Sequence, residues 1–540
     1  EVWVRDPNAI AVALSEAIAQ GDWRLFLLGR DRVEQVTLAD VARVAATYLK
    51  PENRSSGRFI PTDKPDRVTI AEAPSAATLL KDYVGKEAVA SGEAFDPSPA
   101  NIDQRTQAFT LDNKAELSVL SKSTRGRSVQ LRIDLRLGDE ASLTDRDTAA
   151  SLLADMLMRG TQGLDRSAIS SRLVALKSEL DIGGGPTQVS VVANTDHDNF
   201  PALLELVATL LKQPTLPDNE FTQLRTQAIT DLRSSMTEPN AIASRAMGRY
   251  YNRWPKGHPY YATTVEEDLA ALQAVKLDDL RAFHRDFYGT AGASIAVIGD
   301  VDAAQVHAQV ARLFGDWNAA KAFTRIPSPY YGKPAVREAI ETPDKPNAMF
   351  LATLPMPVGQ DHADYPALVL GNYILGGGSL KSRLADRIRQ REGLSYGVGS
   401  SFNASAIDES GSFFAYAIAA PENIARVEAA FREEVAKIVA EGITQTEFDE
   451  ALDGMLKARR TSRANDGELV ALLASNLYLD RTMADAAKFE ADLRAQTPDS
   501  VRAALARHLK PAEISVFAAG DFVGAASRAG GRPATEGSAN

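Results

Sequence analysis

Residues 275–300 read VKLDDLRAFHRDFYGTAGASIAVIGD, and this stretch decides the fold because its pattern recurs along the chain. Leucine and aromatic residues three and four positions apart predict an amphipathic helix, and the apolar run Ser294–Ile298 before Gly-Asp predicts a strand. Residues 496–521, QTPDSVRAALARHLKPAEISVFAAGD, repeat both elements, with the strand at Ile514–Ala518. Residues 36–59 repeat the helix and the turn, followed by a weaker strand. The copies lie about 220 to 240 residues apart, which indicates a long-period duplication rather than a solenoid.

The remaining parts of the repeated unit are also recognisable. A strand precedes an acidic loop and a helix twice, and a later strand and a long charged helix follow each time. These elements are the strands Ser128–Leu137 and Asn347–Leu354, the helices Asp145–Met158 and Ala363–Leu375, the later strands Gln188–Ala193 and Gly411–Ile418, and the long helices Pro201–Leu211 and Ile424–Ala440. This order predicts α+β domains, with a mixed or antiparallel sheet on one side and helices on the other.

The repeats divide the chain into predicted domains. Two complete units are expected at residues 105–325 and 326–527. Residues 1–66 hold only the tail of another such domain, whose missing part is expected to precede residue 1. Residues 67–104 are rich in Ala, Ser and Pro and predict an interdomain linker, and residues 528–540 predict a disordered tail.

The composition excludes several classes of protein. The 540 residues carry a formal charge of −11 without a basic block, so nucleic acid and anionic membranes are not expected partners. No apolar run reaches the roughly 18 residues of a membrane span. Without cysteine there is no disulfide and no thiol nucleophile, which suits the cytosol and a bacterial periplasm equally. The start, EVWVRDP, has neither an initiator Met nor a signal-peptide pattern, so residue 1 is expected to follow a cleavage or to begin a fragment.

Motifs for common catalytic chemistry are absent. The six histidines include no i, i+4 pair, so no single helix supplies a zinc site, although a scattered site stays open. The glycine runs at 183–185 and 376–378 lack the spacing of a phosphate-binding loop and favour turns or close backbone approaches. The dinucleotide-binding glycine pattern and the nucleophile elbow of serine hydrolases do not occur.

One constellation stands out at residues 382–402, SRLADRIRQREGLSYGVGSSF. A helix from Ser382 to about Arg391 is predicted to end at Gly393, and the chain then turns into a strand. Arg389 and Tyr396 lie on opposite sides of this corner and could converge on one point. Both are hydrogen-bond donors that could bind a carbonyl or stabilise a developing negative charge. The residues alone favour the alternative, an arginine stacked on a tyrosine at a surface corner.

Two longer stretches carry a family resemblance. Residues 375–402, LGGGSLKSRLADRIRQREGLSYGVGSSF, and residues 236–272, MTEPNAIASRAMGRYYNRWPKGHPYYATTVEEDLAAL, resemble the pitrilysin/insulinase-type (M16) zinc metallopeptidases and the related mitochondrial processing peptidase. The resemblance covers residue 1 to about residue 527. It implies pitrilysin/LuxS-like metallohydrolase domains, four to a protein, in two halves that close on a peptide.

The resemblance also implies that this chain has lost the zinc site. Catalytic members read His-x-x-Glu-His where this sequence has Ser151, Ala154 and Asp155, and their third ligand, a Glu, falls near Asp231. The last unit has ALVLGNYILGGG at residues 367–378 in the corresponding place and no such motif either. No metal is therefore expected on this chain, and zinc would be bound by an N-terminal half that is missing here.

The same resemblance changes the interpretation of the corner. The second half of such enzymes supplies an Arg and a Tyr, seven residues apart, to the active site, and Arg389 and Tyr396 match this spacing. The resemblance implies that Tyr396 stabilises the tetrahedral intermediate and that Arg389 holds the substrate backbone. His258 is implied to be structural, fixing a loop.

Two functions follow as hypotheses. The first is the C-terminal half of a zinc-dependent endopeptidase, inactive alone, which closes over peptide substrates together with an N-terminal zinc-binding half from the same precursor or a separate subunit. The alternative is a non-catalytic scaffold or substrate-binding subunit of the same fold. A bacterial, periplasmic location is expected, with the cytoplasm left open.

Overall fold

The computed structural model describes residues 7–57, 74–85 and 91–530. Parts of the predicted regions lie outside these residues: 67–73 and 86–90 of the predicted linker 67–104, the end of the weak strand at residues 36–59, and most of the predicted tail. The chain divides into two compact units, residues 1–92 with 124–126, and residues 93–123 with 127–540. Each unit is described by itself.

The described part of the first unit has four α-helices: α1 (Pro7–Ala19), α2 (Arg24–Val33), α3 (Leu38–Tyr48) and α4 (Ala76–Leu80). Helix α3 is the predicted helix of the first repeat, and Thr37 and Asp40 form a capping box at its start. None of the residues of α3 is buried. Among the described residues of this unit, the buried apolar side chains are Ala17 and Leu80, whereas many large ones are exposed: Val12, Ile18, Trp23, Val33, Val36, Leu38, Val41, Val44, Tyr48, Leu49, Leu79 and Val84. This unit therefore leaves most of its apolar surface uncovered.

The second unit contains the remaining helices and all the described strands. Its helices are α5 (Pro99–Arg105), α6 (Asp147–Met156), α7 (Arg166–Ala175), α8 (Phe200–Lys212), α9 (Asp218–Ser235), α10 (Pro239–Tyr250), α11 (Val265–Ala274), α12 (Leu277–Phe287), α13 (Ala303–Phe314), α14 (Tyr365–Asn372), α15 (Ile424–Glu441), α16 (Gln445–Ala464), α17 (Asp466–Leu479), α18 (Met483–Arg494), α19 (Pro498–His508) and α20 (Phe522–Gly530). Its strands are β1 (Thr106–Thr110), β2 (Glu116–Ser121), β3 (Ser128–Arg136), β4 (Gly160–Thr161), β5 (Leu164–Asp165), β6 (Glu179–Gly184), β7 (Gln188–Asp196), β8 (Ser294–Gly299), β9 (Arg337–Glu341), β10 (Ala348–Met356), β11 (Ser395–Ala404), β12 (Gly411–Ala419) and β13 (Ser515–Gly520).

The long strands form two mixed sheets. The first has the order β1-β2-β8-β3-β7-β6 and the second the order β11-β12-β10-β13-β9. In the first sheet β2 and β8 are parallel, in the second β13 and β9 are parallel, and the other pairs are antiparallel. The strands predicted from both full repeats, β8 and β13, lie inside the two sheets. The predicted α+β fold class is confirmed.

Each sheet packs its own helices against one face. In the first sheet Leu131 and Ile133 of β3 join a core that includes Leu153 of α6 and Phe283 of α12. In the second sheet Phe350 of β10 packs edge-on against Phe431 of α15, with ring centroids 5.4 Å apart. Alternation of apolar and polar residues along β7 matches burial of this face, whereas β8 and β13 are mostly apolar and are buried on both faces.

The opposite face of each sheet is covered by a helix from the other half. Leu469, Val470 and Leu473 of α17 pack with Ala296 and Ile298 of β8. In return, α10 packs on the second sheet, where Ala243 lies among Leu351, Phe517 and Ala519. The two halves therefore exchange helices and fold as one unit.

The end of the predicted linker is part of this packing. Residues 99–104 belong to α5, and Ile102 is fully buried in the cluster beneath α17. Arg463 of α16 donates a hydrogen bond to the carbonyl of Pro97 at 2.8 Å. Residues 99–104 are thus structural rather than linker, while the other predicted domain bounds stay a prediction.

The exchanged helix gives a test of stability. Val470→Ala removes two methyl groups from a site that is 1% exposed, and we expect it to lower the free energy of unfolding by about 2 kcal/mol. Val174→Ala on α7, where the side chain is 76% exposed, is the matched control, with an expected change below about 0.5 kcal/mol. Denaturant unfolding of both variants measures the difference, and equal values would contradict the packing role of α17.

Candidate functional site

The corner that carries Arg389 is built from two wide helical turns. Tyr373–Gly377 and Ala385–Arg391 are π-helical. Their i→i+5 bonds run from the N–H of Gly378 to the carbonyl of Tyr373 (2.7 Å) and from the N–H of Glu392 to the carbonyl of Arg387 (3.2 Å). The sequence predicts an amphipathic helix from Ser382 to about Arg391, and the structure has a helix here whose bonding is π-helical from residue 385 onward. The apolar pattern identifies the buried side but does not distinguish i→i+4 from i→i+5 bonding. Such turns occur frequently at functional sites.

Arg389 differs from the arginines around it. Three neighbours are bound to carboxylates: Arg383 to Glu447 at 2.7 Å, Arg387 to Glu433 at 2.9 Å, and Arg391 to Asp386 at 2.6 Å. The side chain of Arg389 is exposed and has no hydrogen-bond or ion-pair partner among the residues that the structure describes. Its five N–H donors are therefore free to contact a ligand.

Tyr396 sits in a β-bulge on the edge strand β11. The pairing with β12 shifts between Ser395↔Ala419 and Gly397↔Ile418, which leaves Tyr396 without a partner residue. The hydroxyl of Ser395 donates to the carbonyl of Ile418 at 2.7 Å and accepts from the N–H of Gly397 at 3.2 Å. Tyr396 itself is 88% exposed. Bulges commonly redirect a side chain next to an active site, and this one turns the phenol into solvent.

A pocket of about 370 Å³ lies between these elements. Arg389 and Gly397 line it, and Gly376 forms another part of its wall. A Cβ on Gly376 would lie 2.7 Å from the backbone nitrogen of Ser400, so the glycine permits a close backbone approach, as predicted for residues 376–378. Arg389 is not stacked on the ring of Tyr396 in the described structure. A guanidinium and a phenol that are both unengaged can donate hydrogen bonds to carbonyl oxygens of a bound chain.

Helix α6 carries the positions where catalytic relatives are expected to hold zinc. Ser151 and Asp155 are exposed, while Ala154 is fully buried. Although Asp155 is exposed at its surface side, partial desolvation by the residues around it raises the pKa of its carboxyl, with Arg159 acting in the opposite direction. Asp231 on α9 accepts a hydrogen bond from Gln227 of the same helix at 2.8 Å. Zinc sites need several imidazole, thiolate or carboxylate ligands, and catalysis also needs a base, so Ser151, Ala154 and Asp155 do not fit zinc.

Elsewhere in the described residues, His362, Asp364 and His508 bring potential ligand atoms within 4.8 Å of one another. Sequence reasoning missed this group because His508 is far from the other two along the chain. Arg507 binds both carboxylate oxygens of Asp364, at 2.9 and 2.5 Å, and His508 Nε2 lies 2.8 Å from the same carboxylate. The group therefore ties the C-terminal end of α19 to the start of α14.

His258 has a structural environment. Its ring is stacked on Trp254 with centroids 4.0 Å apart, and its Nδ1 accepts from the N–H of Tyr260 at 2.9 Å. Burial lowers its pKa, which favours the neutral ring that accepts this bond. These contacts hold the loop around residues 254–260, as the structural role of His258 requires.

Comparison with known proteins agrees with this fold. The family model described as the peptidase M16 inactive domain matches residues 274–455. The uncharacterized zinc protease YmxG of Bacillus subtilis is 21% identical over 380 residues, which span 69% of this chain and 90% of that protein. The uncharacterized zinc protease SCO5738 of Streptomyces coelicolor is 23% identical over 383 residues, 70% of this chain and 82% of that protein.

Two solved structures are similar. A peptidase M16 inactive domain from Pseudomonas fluorescens has a TM-score of 0.68 and 22% identity, covering 77% of this chain and 97% of that one. The periplasmic protease PqqL from Escherichia coli has a TM-score of 0.64 and 14% identity, covering 90% of this chain and 50% of that one. Residues 274–455 thus match the M16 inactive domain, the chain is similar in sequence to proteins named as zinc proteases, and its fold is similar to that of the two solved structures. This confirms the resemblance drawn from residues 236–272 and 375–402.

None of the described helices is both long and apolar enough to cross a lipid bilayer.

The first residue of α6 gives a pH-dependent prediction. Burial, and then the charges of Asp145 and Asp268, raise the pKa of Asp147 to about 7. An unfolded Asp titrates near a pKa of about 3.9, so the stability that this group contributes at low pH is lost between about pH 4 and pH 7. We expect Asp147→Asn to be more stable than the parent at about pH 8 and nearly equal to it at about pH 4.

Urea unfolding at both pH values measures this effect. Asp218→Asn, the same substitution at the exposed first position of α9, is the control against which the effect of Asp147→Asn is compared. If the difference in the free energy of unfolding between Asp147→Asn and the parent is the same at both pH values, the raised pKa of Asp147 is refuted.

Proposed function

We propose that this chain is the C-terminal half of a zinc-dependent endopeptidase, with zinc and the general base on an N-terminal half. One observation carries the proposal: among the described residues, Arg389 in a pocket wall and Tyr396 in the adjoining bulge are unengaged donors, in a chain whose own zinc positions are Ser151, Ala154 and Asp155. A surface arginine without a carboxylate partner, amid three that are paired, suits contact with a ligand. On its own the chain is expected to be inactive.

The two donors have distinct roles in this proposal. The hydroxyl of Tyr396 donates to the scissile carbonyl oxygen, and this bond strengthens as negative charge develops on that oxygen. The guanidinium of Arg389 binds backbone carbonyls of the peptide and orients it. Tyr396 lies on the edge strand of the second sheet and Arg389 on the π-helical turn that precedes it, so the proposal requires a peptide to be held between the two halves of the enzyme.

The first unit supports association with an N-terminal half. Large apolar side chains such as Trp23, Leu38 and Leu49 are exposed, and α3 buries no residue. Exposed apolar surface of this extent is typical of an interface or of an incomplete domain. The protease PqqL has a similar fold, and this chain matches 50% of that protein's length. The unmatched part of PqqL is long enough to correspond to an N-terminal half. By analogy with that periplasmic protein, we propose that this chain is also bacterial and periplasmic.

A specific observation favours a second candidate, a non-catalytic scaffold or substrate-binding subunit. The matched region spans 90% of YmxG, 82% of SCO5738 and 97% of the Pseudomonas fluorescens domain. The two-sheet unit is therefore comparable in extent to whole relatives. A subunit of this extent could act beside a separate catalytic chain without contributing any group to the reaction.

The composition of the native particle separates these candidates. For the endopeptidase half, we expect native mass spectrometry and metal analysis of protein purified from its source to show a second polypeptide and roughly one zinc per complex. Peptidase activity should accompany the complex and be absent from this chain alone. A lone 58.1 kDa chain without zinc or peptidase activity would instead support the scaffold.

The role of Tyr396 is tested in the assembled enzyme. We expect Tyr396→Phe to lower kcat about 100-fold because it removes one donor to the developing oxyanion, with little change in KM or in unfolding. Tyr330→Phe is the control, since Tyr330 is also an exposed tyrosine but lies in the segment between α13 and β9, outside the corner that carries Arg389 and Tyr396. An unchanged kcat of Tyr396→Phe would contradict the proposed role of Tyr396 as a donor to the oxyanion.

A further inference from the structure

A second pocket lies on the outer face of the first sheet, beneath the exchanged helix α17. Arg132, Asp134 and Arg136 alternate along β3 and therefore point to the same face. They form one wall of a pocket of about 280 Å³, and Ser475 and Tyr478 of α17 lie in the opposite wall. The pocket is distinct from the one at Arg389.

Two of the three arginines in this wall are neutralised. Arg132 Nε donates to Asp134 at 3.0 Å, and the hydroxyl of Ser190 donates to the other oxygen of that carboxylate at 2.6 Å. Arg325, which also lines the pocket, binds both oxygens of Asp408 at 2.8 and 2.9 Å. One-to-one pairing therefore leaves the positive charge of Arg136 unmatched in the pocket wall.

Arg136 has only neutral partners in contact. Its Nη1 donates to the hydroxyl of Ser294 at 3.0 Å and to the carbonyl of Gly292 at 3.4 Å, and its guanidinium lies 3.7 Å from the ring centroid of Tyr478. Among the described residues no carboxylate is within ion-pair distance, although Asp134 and Glu116 act on it through space. Burial lowers the pKa of Arg136, yet an arginine stays protonated in a protein. A desolvated cation without a counter-charge is costly, and a bound anion would offset this cost.

The rest of the wall selects the kind of anion. Phe323, Ile326 and the rings of Tyr260 and Tyr478 supply apolar surface next to the cation. A guanidinium fork matches the planar geometry of a carboxylate. The volume is near the lower end for ligand sites, roughly 300 Å³, which suits a single residue rather than an extended chain.

We propose that this pocket binds the C-terminal residue of a peptide, with the terminal carboxylate on Arg136 and the side chain against Phe323 and Tyr478. The inference goes beyond the proposed function, because binding at this site requires neither zinc nor the N-terminal half. A free organic acid shares the carboxylate chemistry, so the experiment compares both sources.

Isothermal titration calorimetry on the full chain tests the proposal with three probes. They are N-acetyl-Ala-Ala-Phe with a free carboxylate, the same peptide as its C-terminal amide, and 3-phenylpropionate. We expect saturable binding of the free acid, at least tenfold weaker binding of the amide, and weaker binding of phenylpropionate. Equal binding of acid and amide, no binding of either, or tightest binding of phenylpropionate would overturn the proposal.

Variants place the binding at this pocket. We expect Arg136→Gln to weaken binding of the acid peptide at least tenfold. Arg253→Gln is the matched control, because Arg253 also stacks on an aromatic ring, that of Trp254, with 4.4 Å between its guanidinium carbon and the ring centroid, and lines a different pocket. If Arg136→Gln does not fold, Ser475→Phe fills the pocket from the exposed side of α17 and should abolish binding without lowering Tm. Undiminished binding in the folded variants would refute the assignment.

Discussion

The exchange of α10 and α17 between the two sheets is the packing on which the rest of the second unit depends. Each sheet covers one face with its own helices, and this leaves an apolar outer face that water would otherwise contact. Leu469 and Leu473 cover one such face, and α10 covers Leu351 and Phe517 on the other. Because each half completes the other's core, neither half is expected to be stable alone. The same exchange brings Tyr478 over Arg136 and so builds the second pocket.

The sequence predicts the elements of this fold better than their assembly. Alternation along Ser128–Leu137 and helical spacing in residues 275–300 locate β3, α12 and β8 closely, because these periods record which side of an element is buried. Periodicity does not record what covers that side. The apolar positions of α17 fit an ordinary core helix of its own domain, and nothing in their spacing indicates the other sheet. The same limit explains why Ile102 lies in a core although its neighbours have the composition of a linker.

The candidate site shows a similar division. The spacing of Arg389 and Tyr396 is visible in the sequence, and the family resemblance assigns both a role. The lack of a partner at Arg389 is not visible, because Glu433 and Glu447, which lie on α15 and α16, bind the neighbouring arginines instead. The π-helical turn and the β-bulge are also local departures from regular hydrogen bonding that leave the apolar pattern unchanged. A glycine-rich segment between two apolar runs is the sequence feature that could have indicated irregular backbone hydrogen bonding here.

The two halves of this duplicated fold differ at their candidate functional positions: the first is regular there, and the second is irregular and exposed. In the first sheet's helix α6, the position of the family's general base is Ala154, fully buried in a well-packed element. In the second sheet, the corner combines two wide helical turns, a bulge, and unengaged donors on Arg389 and Tyr396. Irregular backbone and unpaired polar groups reduce stability, and proteins typically keep them where a ligand is bound. A scaffold has no need of such a corner, whereas a half that closes over a peptide requires donors that remain free until the peptide arrives.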